Sequence, residues 1–314
     1  MKRLVTINAL LLESINPVAS GCCFELQSSS KWKGPREGVY TFMAGSSSII
    51  SSLRLTRSLS SQRAFSSSTA GSAVVNYKSL LRPWKAMKLT QESLDEVMLV
   101  NTWPKAFPFP PECFDKLDGS PDADFYKVPK LDMHISEQMA ECMEKRWYAD
   151  LLPMDCDTHL ELGAGVRSYF PESYTPSTVI GYGMNMAEME GNEVLTERHV
   201  QDLNVNPHLP YQASVFDCIT LAFSIQYLTQ PHLVLSEAHR LLRPGGILIV
   251  SYTDRCFETK VTDLWYRSSM LQRALLCRGY LHYSGAVGCW SELRAGGSYL
   301  DDDEPLIVMW ARKS

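Results

Sequence analysis

Apolar residues gather in short runs along the C-terminal half of the chain. The runs have the length and composition of buried strands and cover residues 158–163, 178–183, 200–203, 216–223 and 247–252. Before the last run, Pro231–Leu242 has apolar positions every three or four residues, and Pro244-Gly245-Gly246 follows as a stop. Short apolar runs that alternate with helical patterns are typical of a parallel sheet with helices on both faces. The pattern therefore predicts an α/β domain over residues 158–314, with a doubly wound, mostly parallel, Rossmann-like sheet.

An irregular and then helical extension is predicted over residues 76–157. Residues 101–130 hold six prolines with aromatic residues between them. Prolines at this density forbid long helices, so we expect an ordered wrap over the main domain, or alternatively a peptide-binding proline segment. Ser136 then caps a predicted helix that ends before Pro153 and repeats apolar residues at Met139, Cys142, Met143 and Trp147. This stripe favours a core position; a cover over a cofactor pocket is the alternative.

The first 75 residues have the composition of an organelle presequence. No Asp or Glu occurs between Val39 and Gln91, and 12 of the 33 residues from Met43 to Val75 are serine. Arg63-Ala64-Phe65 resembles a mitochondrial processing site, so residues 1–75 are predicted to be a targeting segment, with an ordinary disordered tail as the alternative.

The destination of this segment depends on its first residues. Met1-Lys2-Arg3 before an apolar stretch resembles a short signal peptide, which would favour a plastid. A start at Met43 would instead leave residues 1–42 outside the natural protein. The predicted location is the mitochondrion, with the plastid as the alternative.

Charge and cysteine content exclude several classes of function. The formal net charge of -5, from 30 Lys+Arg and 35 Asp+Glu, argues against nonspecific electrostatic binding of nucleic acid. No apolar stretch approaches the roughly 18 residues of a membrane span, so none is expected. The nine cysteines form no C-x-x-C pair, and His134 and His282 have no evident partners, so we expect reduced thiols and no metal site.

Candidate ligand-binding residues close the predicted strands. In a doubly wound sheet ligands bind beyond the carboxyl ends of the strands. The first strand closes as Glu161-Leu162-Gly163-Ala164-Gly165, where glycines allow a tight turn against a ligand. Asp202-Leu203 follows the third strand.

The order of these strand-end motifs along the chain resembles that of the class I S-adenosylmethionine-dependent methyltransferases, in particular type 11-like domains. The match runs over residues 158–314, and its most specific parts are Phe216-Asp217-Cys218-Ile219 and the helix-to-glycine element of residues 237–246. Upstream, Phe107-Pro108-Phe109-Pro110-Pro111 and Leu151-Leu152-Pro153 are similar to an uncharacterised plant, algal and cyanobacterial branch.

This resemblance implies S-adenosylmethionine as the cofactor and assigns residues to it. Glu161, Gly163 and Gly165 would approach its methionine end. Asp202 would accept from the adenine amino group, and Leu203 would pack on the ring.

Two positions depart from the family pattern. Arg167 stands where a small residue is usual, and Gly183 stands where a carboxylate usually holds the ribose hydroxyls. Asn185 is predicted to take one of the ribose bonds, or alternatively to cap the helix that begins at Met186.

The candidate catalytic residues follow the fourth and fifth strands. Gln226 and Tyr227 could orient an acceptor, and Asp254 or Glu258 could act as a general base if burial raises its pKa. Isolated acids on a loop, such as Asp254 and Glu258, are more often simply exposed to solvent. His239, in the predicted helix, is expected to have a structural role.

Three functions compete. The leading one is methyl transfer to a small-molecule or protein acceptor in an organelle, and a non-catalytic assembly or binding factor of the same fold is the alternative. A nicotinamide-dependent dehydrogenase would need a third glycine in the first turn and an acid closing the second strand, which this chain lacks.

Overall fold

The computed structural model describes residues 76–131, 135–302 and 304–314, so the predicted targeting segment lies outside the described residues. The α-helices in the described part are α1 (Tyr77–Leu81), α2 (Gln91–Met98), α3 (Asp122–Phe125), α4 (Glu137–Cys142), α5 (Ala149–Leu151), α6 (Met186–Glu190), α7 (Pro231–Leu241), α8 (Asp263–Tyr266) and α9 (Met270–His282). Short 3₁₀ turns cover Arg82–Trp84, Pro111–Phe114 and Ile225–Tyr227, and a π-helical stretch, Met143–Tyr148, joins α4 to α5.

A single seven-stranded sheet organises the described residues, in the order β3-β2-β1-β4-β5-β7-β6. Its strands are β1 (Thr158–Leu162), β2 (Thr178–Gly183), β3 (Glu197–Val200), β4 (Phe216–Ala222), β5 (Leu242–Tyr252), β6 (Trp290–Ser298) and β7 (Leu306–Lys313). The first five pair in parallel, whereas β7 is antiparallel to both β5 and β6. The predicted doubly wound, mostly parallel α/β fold is confirmed. The order reverses at β1, which lies between β2 and β4, and this is where such sheets form a ligand crevice.

Each face of the sheet is covered by a different part of the chain. On one face, α2, α7 and α9 pack with Leu160, Ile219 and Val250. On the other face, the segment from Ile135 to Leu152 packs with Ile249 and Val308. The extension before the first strand therefore supplies part of the hydrophobic core on both faces.

The helix predicted after Ser136 is confirmed, and so is its core position. The Ser136 Oγ accepts a hydrogen bond from the Met139 backbone N–H at 3.3 Å, which caps α4. Met139 and Met143 are completely or almost completely buried against the sheet. The proline-rich stretch before it is ordered, as expected, with Phe109 and Phe114 in the core.

The predicted alternation with helices is wrong in two places. Residues 163–177, between β1 and β2, contain no helix, and neither do residues 201–215, between β3 and β4. The α4 to α5 segment occupies the sheet face beside residues 163–177, because its apolar stripe packs with Tyr169 and Tyr174 of that loop. An element from earlier in the chain thus covers the apolar surface that a local helix would cover.

Two strand boundaries also differ from prediction. The third strand is Glu197–Val200 rather than residues 200–203, since an edge strand with half-exposed side chains leaves a weak apolar signal. The fifth begins at Leu242, directly after α7, so Pro244-Gly245-Gly246 lies inside it. Gly245 has a φ of +80°, and the register with β4 shifts near Phe216, which accommodates these residues at the strand's start.

Candidate functional site

A deep cavity opens at the carboxyl ends of β1, β2 and β4. It contains about 1090 Å³ of empty space, its open mouth included. Ligands of doubly wound sheets bind beyond the carboxyl ends of the strands, which is where this cavity lies. The cavity brings together five of the residues that the resemblance implied, namely Glu161, Gly163, Gly165, Asp202 and Leu203.

The turn after β1 fixes the floor of this cavity. Gly163 has a φ of +70°, a left-handed conformation that glycine adopts without a steric penalty. The next residue, Ala164, donates its backbone N–H to the Tyr182 carbonyl at 2.8 Å. A Cβ at Gly183 would lie only 2.2 Å from the Ala164 carbonyl oxygen. No side chain fits at the end of β2, which explains why this chain has no carboxylate there.

Glu161 is a buried carboxyl group in the cavity wall. Its carboxylate accepts a hydrogen bond from the Ser168 Oγ, which in turn accepts from the Asn192 Nδ2 at 2.8 Å. Burial raises the pKa of Glu161 to about 7, against the lowering effect of the Ser168 bond. Because a carboxyl group with this pKa is half-ionised near neutrality, a cationic ligand beside it would favour its charged form.

Arg167 links the turn after β1 to the preceding helical segment. Its guanidinium donates to Glu137 at 2.9 Å and to Glu144 at 2.8 Å. The residue that replaces the family's usual small side chain therefore ties the cavity loop to the segment that covers the sheet face.

Asp202 and Leu203, from the turn after β3, also line the cavity. One Asp202 carboxylate oxygen accepts from the Asn204 backbone N–H at 2.8 Å, which forms a tight turn. Asn204 is held in turn by Asp122 and by the Tyr227 carbonyl, at 2.9 and 3.0 Å. This network holds the Asp202 carboxylate in the wall, where its second oxygen can accept from a ligand.

Both polar atoms of Asn185, which was predicted to bind the ribose or to cap the next helix, form hydrogen bonds within the protein. Its Oδ1 accepts from the Ala187 and Glu188 backbone N–H groups at 2.9 and 3.3 Å and caps α6. Its Nδ2 donates to the Tyr126 carbonyl at 2.7 Å. Asn185 is not among the residues that line the cavity, so the alternative role as a helix cap is the one it has.

Of the four candidate catalytic residues, Gln226, Tyr227, Asp254 and Glu258, only Tyr227 lines the cavity. Its hydroxyl accepts from the Phe257 backbone N–H at 2.9 Å, and burial holds the pKa of Tyr227 well above its usual range. Gln226 is 1% exposed and donates to the Phe223 carbonyl at 2.8 Å, outside the lining.

Asp254 has the raised pKa expected of a base but not the position. Burial raises the pKa of Asp254 to about 6, yet neither Asp254 nor Glu258 lines the cavity. His239, expected to be structural, contacts the Cys289 carbonyl at 3.1 Å with its Nε2. Tyr227 is therefore the one candidate among these that could touch an acceptor in this cavity.

A segment of the extension forms one side of the cavity. The sequence analysis did not predict that this segment would line the cavity. This segment, called the strap below, comprises residues 116–131 and contributes Asp122, Tyr126 and Lys130 to the lining. The Lys260 Nζ, completely buried, donates to the Ser120 carbonyl at 2.8 Å and pairs with Asp118 at 3.0 Å. In the sequence, the strap combines two acidic residues, Asp118 and Asp122, with two aromatic residues, Phe125 and Tyr126. This combination is the signal that could have marked it as a functional segment.

A carboxylate outside the predicted set also lines the cavity. Glu188, in the first turn of α6, is 8% exposed and accepts from the Lys130 backbone N–H at 2.6 Å. Burial raises the pKa of Glu188, partly offset by the bond from Lys130.

Other kinds of site are absent from the described residues. Residues 76–131, 135–302 and 304–314 contain no cluster of three or more His, Cys, Asp or Glu side chains that could hold a metal. Among the same residues, no helix is long and apolar enough to cross a membrane. The described cysteines form no disulfides.

Comparison with known families gives a match over the core of the sheet. Residues 160–250 match the family described as "Methyltransferase domain". This range runs from β1 to β5 and includes the turn after β1, Asp202 and Tyr227.

Curated relatives share the same region. The ubiquinone/menaquinone biosynthesis C-methyltransferase UbiE of Rhizobium johnstonii is 33% identical over 94 residues, which are 28% of this chain and 34% of the relative. The enzyme of the same name from Saccharophagus degradans is 38% identical over 64 residues, 20% of this chain and 23% of the relative. The chain thus spans about a third or less of the length of these relatives.

Solved structures with a similar arrangement include the PH0226 protein of Pyrococcus horikoshii OT3. It is 14% identical, with a TM-score of 0.43, over 61% of this chain and 99% of that one. An S-adenosylmethionine-dependent methyltransferase from Mesorhizobium loti is 15% identical, with a TM-score of 0.39, over 54% of this chain and 97% of that one.

Proposed function

We propose, from the match of residues 160–250 to a methyltransferase domain, that the protein is a class I S-adenosylmethionine-dependent methyltransferase. It transfers the cofactor's methyl group to a small-molecule acceptor with a flat apolar group. The observation that carries the proposal is the cavity at the ends of β1, β2 and β4. There the fold brings together Glu161, the Gly163 turn and Asp202, which come from separate parts of the sequence.

The residues present fit the cofactor. The glycine turn leaves backbone exposed to a ligand, and Asp202 has a carboxylate oxygen available for an amino donor beside the apolar Leu203. Glu161 offers a carboxyl group that a cationic amino acid end would ionise. S-adenosylmethionine would supply an electrophilic methyl group on sulfur. The chain's own contribution is to hold and align the reactants and to exclude water.

Aromatic rings support the proposed class of acceptor. Tyr126, Tyr227 and Phe257 line the cavity, and the Tyr227 and Phe257 rings stack with centroids 5.8 Å apart. Flat apolar groups pack well against such rings. Quinones are flat ring compounds, and the curated relatives are named as C-methyltransferases of ubiquinone/menaquinone biosynthesis, in agreement with this proposal. The strap adds Asp122, Tyr126 and Lys130 to the lining, and a cavity walled on this side favours a small molecule over a protein side chain.

Binding of the cofactor is the first test. Calorimetry with the full chain should detect S-adenosylmethionine and S-adenosylhomocysteine. Asp202→Ala should weaken both by roughly 10-fold to 100-fold, because the loss of a charged acceptor costs about 1.5–3 kcal/mol.

A matched variant separates the ligand contact from the turn. Asp202→Asn keeps an amide oxygen that can still accept from the Asn204 N–H, so the loop is preserved. We expect Asp202→Asn to bind the cofactor less tightly than the parent, since a neutral acceptor bonds more weakly than a charged one. Binding at the parent level by both variants would contradict the assignment.

Methyl transfer is the second test. The full chain with methyl-labelled cofactor is incubated with phenols, hydroquinones, aliphatic amines and a protein extract. Label in the ring compounds supports the proposal, and label in the proteins alone contradicts the proposed acceptor. Cofactor binding without any labelled product would favour a non-catalytic binding factor.

We further propose that residues 1–75 direct the protein to the mitochondrion, with cleavage between about Arg63 and Ser68. The support is the acid-free, Arg-rich and Ser-rich composition of that segment. Terminal sequencing of the mature protein is the direct measurement. A mature end near Gly21 would favour the plastid route, and full-length protein in the cytosol would contradict import.

A further inference from the structure

Strand β2 ends without the side chain that nucleoside-binding sheets use at this place. In parallel sheets of this kind an acid after the second strand accepts from the ribose hydroxyls. Here Gly183 occupies that place, and the Ala164 carbonyl lies too close for any side chain. The ribose acceptor must therefore come from another element if this cavity holds a nucleoside.

Glu188 is positioned to be that acceptor. It belongs to α6, which starts three residues after β2 ends, and it follows Ala187 in the turn capped by Asn185. The Sδ of its neighbour Met189 lies 2.9 Å from where a Cβ on Gly183 would be. The Glu188 Oε2 lies 3.7 Å from the place of a Cβ on Gly165. The carboxylate therefore lies beside the glycine turn, in the cavity that the end of β2 also lines.

One carboxylate oxygen of Glu188 is held by the protein, and the other faces the glycine turn. Oε1 accepts from the Lys130 backbone N–H at 2.6 Å. A carboxylate can accept about four hydrogen bonds, so Oε2 has capacity for a ligand. A carboxylate that is 8% exposed is costly to bury unless donors reach it.

We propose that Glu188 accepts hydrogen bonds from the ribose hydroxyls of the bound cofactor, in place of the carboxylate that β2 cannot carry. This inference rests on the proposed function, because it requires a nucleoside cofactor in the cavity. It also links that ligand to the strap, since the same carboxylate holds Lys130. Cofactor binding and closure of residues 116–131 then share one side chain.

The competing role for Glu188 is to hold the strap alone. Asn185→Asp provides the matched control, because it loses the Nδ2 that donates to the Tyr126 carbonyl of the strap but keeps an oxygen that can cap α6 at Glu188. A variant that merely loosens the strap should weaken all ligands equally. A variant that removes the ribose acceptor should weaken only ligands that have the hydroxyls.

The experiment measures dissociation constants by calorimetry for S-adenosylhomocysteine and its 2′-deoxy and 3′-deoxy analogues. The full chain, Glu188→Ala, Glu188→Gln and Asn185→Asp are compared, with circular dichroism to verify folding. The parent and Asn185→Asp should bind the ribose form more tightly than at least one deoxy analogue, by about tenfold or more, because a hydrogen bond to a charged group is worth about 1.5–3 kcal/mol. Glu188→Ala should reduce that preference to less than about twofold, because no acceptor is left. Glu188→Gln should reduce it several-fold, because a neutral acceptor bonds more weakly.

Each outcome has a distinct meaning. Failure of the parent to bind S-adenosylhomocysteine overturns the proposed function itself. Binding by the parent with the same ribose preference in Glu188→Ala overturns the assignment of Glu188 and leaves the proposed function intact. If Glu188→Ala does not fold, Glu188→Gln decides, because its amide oxygen can still accept from Lys130. An unchanged preference in that variant also overturns the inference.

Discussion

At the residue scale, Asn185 shows how two roles that look alike in sequence separate in the structure. An Asn before a helix can cap it or bind a ligand with the same side-chain oxygen. Here the oxygen accepts from Ala187 and Glu188, and the amide nitrogen donates to Tyr126. Both halves of the side chain are occupied by the protein.

We expect Asn185→Ala to lower the free energy of unfolding by about 0.5–2 kcal/mol, the usual range for a lost cap. Denaturant unfolding of the full chain measures it. Asn185→Asp is the control, because it keeps the capping oxygen and loses the donor to Tyr126. It should recover most of the lost stability. Equal stability of the parent and the Asn185→Ala variant would show that the cap contributes nothing.

Glu161 gives a pH-dependent prediction. Its pKa is about 7 in the folded protein, against an ordinary value of 4.5, because the group is buried. The folded state therefore holds a proton that the unfolded chain has released between these two values. Its favourable contribution is complete below about pH 4.5 and is lost as the pH rises through about 7.

Glu161→Gln should remove this dependence. Relative to the parent, the variant should gain stability between pH 5 and pH 8 by about 2–3 kcal/mol, from roughly 2 pH units at 1.36 kcal/mol each. Denaturant unfolding of both proteins at the two pH values gives the difference. Other titrating groups cancel in that comparison. A constant difference would mean that Glu161 has an ordinary pKa.

At the element scale, the α4 to α5 segment acts as part of the sheet domain. The Trp147 ring packs directly on β6, where a Cβ on Gly296 would be 2.2 Å from the indole Cη2. Its Nε1 donates to the Ser298 Oγ at 3.0 Å. A segment that precedes the first strand thus depends on a glycine near the end of the chain.

This contact predicts strong non-additivity. Trp147→Ala should cost about 3–5 kcal/mol of unfolding free energy, as expected for a buried large aromatic residue. Gly296→Ala should be destabilising in the parent by about 1–3 kcal/mol because of overpacking. In the Trp147→Ala background the added methyl group has space, so Gly296→Ala should cost little. Additive effects in denaturant unfolding of the four proteins would contradict the contact.

At the scale of the whole molecule, the cavity exists because distant segments meet. The turn after β1, the turn after β3, the residues after β4 and the strap each contribute lining residues. Lys260, from the region between β5 and α8, holds the strap with its charged group completely buried. Because a buried charge is costly unless its partners are in place, Lys260 favours the one position of the strap in which Asp118 and Ser120 reach it.

Lys260→Met should release the strap. We expect a loss of about 3–5 kcal/mol of stability, since the Asp122 carboxylate is left with fewer partners in a buried site. Protease cleavage within residues 116–131 should become faster, and S-adenosylhomocysteine should bind more weakly. Lys88→Met is the control: Lys88 pairs with Asp301 at 2.8 Å, but both side chains are highly exposed, so we expect no measurable change. Parent-like cleavage in Lys260→Met would show that the strap is held by other contacts.

The sequence by itself determined the parts of this protein that rest on local patterns. Apolar runs of strand length located β1, β2 and β4, and helical periodicity located α7 and the segment after Ser136, because burial of an amphipathic element repeats with its own geometry. The strand-end glycines and Asp202 were found because a parallel sheet gathers strand ends at one edge.

The tertiary structure decided what depends on contacts between distant residues. The absence of a helix in residues 163–177 follows from a segment earlier in the chain that covers the same face. The capping role of Asn185, the exclusion of Gln226 and Asp254 from the cavity and the presence of Glu188 and the strap in it follow from side-chain directions and close approaches such as Ala164 on Gly183. Local sequence patterns carry no information on which distant backbone will lie within contact distance of a given position, and that proximity decides which side chains reach the ligand.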